Sequence, residues 1–124
     1  MDVNTINIMS LAYLGDSVYE VYIRNKLISL GYCKVDELQR EAVKYVSAKG
    51  QAKILNFLLD NNYLNEEEID YVMRGRNYKR KSHPKNTDII TYKYSSGFEA
   101  LIGYLYISNK YDRLMELLNL IEVK

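Results

Sequence analysis

Apolar residues recur along this chain at the three- and four-residue spacing of α-helices, and no alternating run is long enough to predict a strand. We therefore predict an all-α fold. The first helix is expected to begin near Thr5 or Asn7 and to continue to about Leu30, where Gly31 is a typical helix terminator.

The first helix is apolar on two sides, which predicts that both are covered, one by the chain's own core and the other by a second copy of the chain. The first side carries Leu11, Leu14, Val18 and Val21, and the second carries Ala12, Tyr13, Tyr19 and Ile23. Asp16 lies on the second side, where an ionised carboxylate is costly unless it is paired, hydrogen-bonded or bound to a metal. Gly15 is a poor helix former, and its presence indicates that a backbone or a ligand approaches closely.

Five further helical segments are predicted, with expected bounds of 37–46, 48–61, 66–74, 87 or 88–107, and 111–121. Asp36, Ser47 and Asn65 are the expected N-caps of the first three. The pattern leaves open a break over 94–97 in the fourth. The segment 75–86 has no apolar periodicity and contains glycine, proline and asparagine, so it is predicted to be a loop.

A second carboxylate, Glu99, lies in the other strongly apolar helix, and Gly103 follows one turn later. If the two helices cross at their glycines, Asp16 and Glu99 face one gap. Two carboxylates repel each other unless a proton or a cation lies between them, and Mg²⁺ prefers oxygen ligands. The alternative is that each acid caps a neighbouring helix or pairs with an arginine.

Glu20 lies one turn after Asp16 and is a candidate third ligand. The alternative is a salt bridge to Arg24, four residues further along the same helix.

Composition sets limits on what the chain can be. Its 124 residues are 48% hydrophobic and 27% charged, which fits one globular domain over 1–124. No basic stretch followed by an apolar run resembles a signal peptide, and no apolar stretch is long enough to cross a bilayer, so a cytosolic protein without membrane contact is expected. Cys33 is the only cysteine, which excludes an intrachain disulfide and a cysteine-based metal site.

The basic charge is concentrated in one segment. The interval from Arg74 to Lys85 carries +6 and no acidic residue, whereas the whole chain carries only +1. Its candidate phosphate or groove contacts are Arg74, Arg76, Asn77, Lys79, Arg80, Lys81 and Lys85. Such a segment attracts phosphate locally, although solvated surface is the alternative. His83 is a candidate acid or base, with a phosphate or solvent contact as the alternative.

Two acidic motifs and the basic segment together resemble a known family. LAYLGDSVYE resembles the signature helix of the ribonuclease III domain, GFEALIGYLYI resembles that fold's second acidic helix, and RGRNYKRKSHPKNTDIITYKYSSGFEALIGYLY fits the short subfamily, Mini-ribonuclease III. This short form lacks a double-stranded RNA-binding domain. The resemblance covers the whole chain.

The resemblance implies a helical ribonuclease III fold, a homodimer joined through the signature helix, and Mg²⁺-dependent cleavage of double-stranded RNA. It also implies maturation of 23S ribosomal RNA precursor in the bacterial cytoplasm, with a ribosomal protein as a candidate helper. Asp16 matches the family's catalytic aspartate and Glu99 its metal-binding glutamate. The longer enzymes have two further acids, where this chain has Ala12 and Ser96, and Ser96 is a candidate to order a water in place of one of them.

The mechanism that follows is hydrolysis by a metal-activated water, which leaves 5′-phosphate and 3′-hydroxyl ends. The alternatives from other classes are a non-catalytic module that binds double-stranded RNA and a helical scaffold whose first helix only dimerises.

Overall fold

The structure is a computed structural model that describes residues 1–79, 85 and 87–124. Its elements in these ranges are a short 3-10 turn, Val3–Thr5, and six α-helices, and no strand is found there. The helices are α1 (Ile8–Ser29), α2 (Val35–Val46), α3 (Ala48–Asp60), α4 (Glu66–Arg76), α5 (Ile89–Ile107) and α6 (Tyr111–Leu118). The prediction of an all-α fold is confirmed.

Two of the three expected N-caps are confirmed. The Ser47 side chain accepts from the backbone N–H of Gly50, and Asn65 forms a reciprocal capping box with Glu68. The expectation for Asp36 is wrong, because α2 begins at Val35 and Lys34 occupies the N-cap position without a side-chain hydrogen bond. Asp36 instead lies in the first turn, where its negative charge suits the helix dipole.

The expected end of α1 is confirmed at Gly31, which has a positive φ of 106°. The N–H of Gly31 donates to the carbonyl of Ile28, and the N–H of Tyr32 donates to that of Leu27. These two bonds satisfy carbonyls that the helix end would leave unpaired, in the manner of a Schellman motif.

Two predicted boundaries in the second half of the chain, the ends of α4 and α6, are wrong, and the break that the pattern left open in α5 is absent. Helix α4 continues through Gly75 to Arg76, because Gly75 packs so closely on α5 that an added Cβ would lie 2.8 Å from the Cβ of Ala100. Helix α5 has no break over 94–97. Helix α6 ends at Leu118 rather than at residue 121.

Helix α5 is the centre of the fold, and α1, α3 and α4 pack directly on it. Its residues 95–98 and 100–105 are buried, which explains why almost the whole segment is apolar. Buried aromatic pairs join it to two neighbours. Tyr19 of α1 meets Phe98 edge to face at 4.8 Å between ring centroids, and Tyr71 of α4 stacks on Tyr104.

A salt bridge joins α4 to α6 on the other side of the core. Glu68 is only 2% exposed, and its two oxygens accept from Nε and Nη2 of Arg113, each at 2.8 Å. Burial alone would raise the pKa of the Glu68 carboxyl, but the hydrogen bonds from Arg113 and from the Asn65 backbone lower it below the ordinary value. Glu68 is therefore held ionised.

In the described ranges, none of the helices is both long enough and apolar enough to cross a membrane.

Candidate functional site

The candidate site lies where α1 crosses α5. A Cβ added to Gly15 would overlap the carbonyl oxygen of Glu99, and one added to Gly103 would overlap the carbonyl oxygen of Leu11. The two helices therefore approach each other with backbone against backbone, which only residues without a side chain permit. The predicted crossing at these glycines is confirmed.

Asp16 follows Gly15 directly, so both acids belong to this one crossing. In the single chain Asp16 is exposed and Glu99 is half-buried, so the chain's own core does not cover Asp16. Helical spacing accounts for the difference, because Asp16 lies at the edge of the buried side that Ala12, Gly15 and Tyr19 form. Its side chain is accessible to solvent and hence to a ligand.

Gln51 of α3 also reaches this site. Its side-chain Nε2 lies 3.3 Å from Oε2 of Glu99 and 3.2 Å from the carbonyl oxygen of Val46, while the residue is only 2% exposed. Gln51 is not among the residues predicted from the sequence, because 48 positions separate it from Glu99 and no local pattern marks such a contact. The first turn of α3 already contains Lys49, so a polar residue at position 51 does not stand out in the sequence.

The third candidate ligand, Glu20, pairs with Arg24 at 3.3 Å, as the alternative reading predicted. In the part of the chain that the structure describes, no group of three or more His, Cys, Asp or Glu side chains is arranged to hold a metal. Ala12 and Ser96, where the longer enzymes have acids, are both buried. Two carboxylates from separate helices thus remain as the candidate oxygen donors.

One side of α1 is apolar and uncovered by the rest of the described chain. Val21 is 67% exposed and Tyr106 of α5 is 41% exposed. Together with Leu14, Ser17 and Val18 they line a groove of about 300 Å³. An apolar groove beside charged residues is typical of a protein interface.

The basic candidates begin on the last turn of α4. The guanidinium of Arg74 lies 4.9 Å from the ring centroid of Tyr71, and that of Arg76 lies 5.1 Å from the ring centroid of Tyr94. Nη1 of Arg76 also donates to the side chain of Asn77 at 2.9 Å. These contacts place both arginines at the end of α4 that packs on α5 near Ser96.

The remaining basic candidates divide into two groups. Lys79 and Lys85 are exposed. Arg80, Lys81 and His83 lie outside the described residues.

Comparisons with known proteins agree with this architecture. The chain matches the family model of the Ribonuclease III domain over residues 9–110. It is 46% identical over 118 residues to the Mini-ribonuclease 3 of Enterococcus faecalis, and the aligned region covers 95% of this chain and 89% of that protein. It is 44% identical over 119 residues to the Mini-ribonuclease 3 of Streptococcus pneumoniae, and the aligned region covers 96% of this chain and 93% of that protein.

A solved structure has the same arrangement of helices. The crystal structure of protein FN1578 from Fusobacterium nucleatum superposes with a TM-score of 0.84 at 28% identity. The superposition covers 96% of this chain and 93% of that chain, so the likeness extends over nearly the whole of both folds.

Proposed function

The chain belongs to the ribonuclease III domain family, and we propose that it is a Mg²⁺-dependent enzyme that cleaves double-stranded RNA in the precursor of 23S ribosomal RNA. The family match and the identity to Mini-ribonuclease 3 proteins over nearly the whole chain make it an endoribonuclease. An endoribonuclease is favoured over the two non-catalytic alternatives, the RNA-binding module and the helical scaffold. We propose further that residues 1–124 act as one catalytic domain in the cytoplasm.

The observation that carries this proposal is the glycine crossing of α1 and α5, which brings the helices bearing Asp16 and Glu99 into backbone contact. Their carboxylates are hard oxygen donors of the kind that Mg²⁺ takes from proteins. Mg²⁺ is commonly held by only one or two carboxylates and keeps several of its waters, so a pair without further acids fits this ion. The exposure of Asp16 leaves room for those waters and for a phosphate.

Asp16 and Glu99 are the proposed catalytic and metal-binding residues. Mg²⁺, when bound, would lower the pKa of a water and neutralise charge on the phosphate under attack. Asp16, at the exposed edge, would meet the RNA backbone. The backbone of Glu99 packs on Gly15 of α1, and its side chain accepts from Gln51 of α3. Ser96, one turn before Glu99, remains a candidate to order a water. In-line attack would leave 5′-phosphate and 3′-hydroxyl ends.

RNA binding is proposed for the basic segment from Arg74 to Lys85, which begins on the last turn of α4. Arg74 and Arg76 are held over tyrosine rings, and Asn77, Lys79 and Lys85 are exposed beside them in the sequence. Arg80 and Lys81 complete the proposed set from outside the described residues. Contacts to phosphates and 2′-hydroxyls would recognise the shape of an RNA duplex rather than its base sequence.

A homodimer is the proposed active form. The groove of Leu14, Val18, Val21 and Tyr106 lies on the uncovered side of α1, and a second copy of the same groove would bury it across a two-fold axis. Two sites in one dimer would allow each to cleave one strand of the duplex. A ribosomal protein that holds the precursor is the proposed helper.

The test is cleavage of a long RNA duplex, and of a duplex from the ends of 23S precursor, by the purified chain in Mg²⁺ or in EDTA. Asp16→Asn is expected to abolish cleavage while duplex binding in EDTA and the circular dichroism spectrum stay unchanged. Asp70→Asn, an exposed aspartate on α4, is the matched control and should cleave normally. Full activity of Asp16→Asn, or equal wild-type activity in EDTA, would refute the proposed site.

A further inference from the structure

Gln51 is fixed in place by a tight corner between α2 and α3. Ser47 caps α3 through the N–H of Gly50, and the Ser47 carbonyl accepts from the N–H of Gln51 at 2.9 Å. A Cβ on Gly50 would overlap the carbonyl oxygen of Lys44, so no side chain fits between α2 and α3 at this position. The backbone of Gln51 is therefore held firmly, and its side chain starts from a defined position.

The orientation of the Gln51 amide is set by its neighbours. Nε2 faces two oxygen atoms, the Val46 carbonyl at 3.2 Å and Oε2 of Glu99 at 3.3 Å, and both can only accept. The nitrogen must therefore point at them. The other amide atom, Oε1, is buried and has no hydrogen-bond partner among the described residues. Burying that acceptor is unfavourable, so packing alone does not explain a glutamine at this position.

The contact with Glu99 supplies the explanation. A hydrogen bond to a carboxylate oxygen restricts how the group rotates and so fixes the direction in which it can meet a ligand. An amide does this without charge, whereas an arginine or lysine in the same place would compete with a cation. We propose that Gln51 is a positioning residue, which orients the Glu99 carboxylate towards Mg²⁺ from the far side of the site. This inference rests on the role proposed above for Glu99.

The test compares the wild type with Gln51→Met, which keeps the length of an unbranched side chain and removes the donor. Removing a hydrogen-bonding partner of a metal ligand typically weakens metal affinity about 10- to 100-fold. We expect a loss of about tenfold or more in Mg²⁺ affinity, measured without RNA by titration calorimetry and by the Mg²⁺-induced rise in Tm. The Mg²⁺ concentration for half-maximal cleavage should rise by the same factor, and duplex binding in EDTA should not change.

Gln39→Met is the matched control, because Gln39 is the only other glutamine and is exposed on α2. It should leave Mg²⁺ affinity unchanged. Gln51→Asn keeps the amide but shortens the side chain, and it replaces the Met variant if that one does not fold. Wild-type Mg²⁺ affinity in a folded Gln51 variant would refute the proposal. If such a variant is less stable but binds Mg²⁺ normally, the contact serves only to pack α3 on α5, and the proposal is also refuted.

A further variant separates this failure from failure of the proposed function. Glu99→Gln should lose Mg²⁺ binding if Glu99 is a ligand, whatever Gln51 does. If Glu99→Gln binds Mg²⁺ as the wild type does, the proposed metal site is wrong, and the proposed role of Gln51 is wrong as well. If Glu99→Gln loses binding and Gln51→Met does not, only the role of Gln51 is wrong.

Discussion

Gly15 on α1 and Gly103 on α5 face each other at the helix crossing, where a Cβ on Gly15 would lie 2.8 Å from the backbone nitrogen of Gly103. We expect Gly15→Ala to force α1 and α5 apart. Alanine is the better helix former by about 1 kcal/mol. The added Cβ would overlap a backbone carbonyl oxygen, which places the overpacking cost at the top of its usual range, about 3 kcal/mol, so the variant should lose about 2 kcal/mol of stability. Urea unfolding of the purified chain measures the loss.

The same substitution should also reduce cleavage, because it displaces the backbone of Glu99 relative to Asp16. Ser10→Ala, an exposed position on α1, is the control and should change the unfolding free energy by less than about 0.5 kcal/mol. Wild-type stability in Gly15→Ala would mean that the crossing can open without cost, and that it does not hold Asp16 and Glu99 in a fixed arrangement.

The salt bridge between Glu68 and Arg113 predicts a pH-dependent stability. The folded pKa of Glu68 lies below its ordinary value of 4.5, so its contribution is complete above that pH and is lost as pH falls through the folded pKa. Glu68→Gln keeps a hydrogen-bonding side chain but removes the charge, and it should cost about 2 kcal/mol near neutral pH. Urea unfolding at several pH values should show this difference shrinking below pH 4.5.

Glu67→Gln is the matched control for that experiment. Glu67 is exposed and lies 3.7 Å from Lys110, so its ion pair is screened by solvent and should contribute less than about 1 kcal/mol. A difference between Glu68→Gln and the wild type that stays constant from neutral to acid pH would show that the Glu68 charge does not stabilise the fold.

The sequence predicted the helices well because their signals are local. Periodicity, the caps at Ser47 and Asn65 and the terminator Gly31 all act within a few residues of the structure they specify. The prediction of loop at Gly75 is wrong because the place of this residue in α4 depends on packing against α5, which overrides the low helix propensity of glycine.

The candidate site was predictable only in outline. The paired glycines indicated the crossing of α1 and α5, and that inference needed no knowledge of distant contacts. The exposure of Asp16 and the approach of Gln51 depend on how three helices pack together. Nothing in the spacing of residues along one helix specifies which side chain arrives from another.

The exposed lysines of the basic segment should contribute to RNA affinity through charge. Lys79→Gln is expected to weaken binding to RNA duplexes equally, whatever their base sequence. It should also reduce the slope of log affinity against log salt concentration by about 1. Fluorescence anisotropy in EDTA over a range of salt concentrations measures that slope. Lys53→Gln, exposed on α3, is the control and should leave it unchanged. An unaltered slope in Lys79→Gln would remove this residue from the RNA contacts.

The uncovered side of α1 predicts that one substitution will separate the proposed dimer. Val21 is 67% exposed in the single chain, so Val21→Lys should leave the fold intact while placing two like charges across the proposed two-fold axis. We expect dimer affinity to fall on the order of 100-fold, as truncating a central interface residue does. Sedimentation velocity should then detect monomer at concentrations where the wild type is dimeric.

Cleavage by the Val21→Lys monomer should be lost or confined to nicking, because one chain presents only one site to the duplex. Val43→Lys is the matched control, since Val43 is 45% exposed on α2, away from the groove. It should sediment and cleave as the wild type does. A Val21→Lys variant that stays dimeric would place the interface elsewhere, and one that is monomeric yet cuts both strands at the wild-type rate would show that dimerisation is not needed for cleavage.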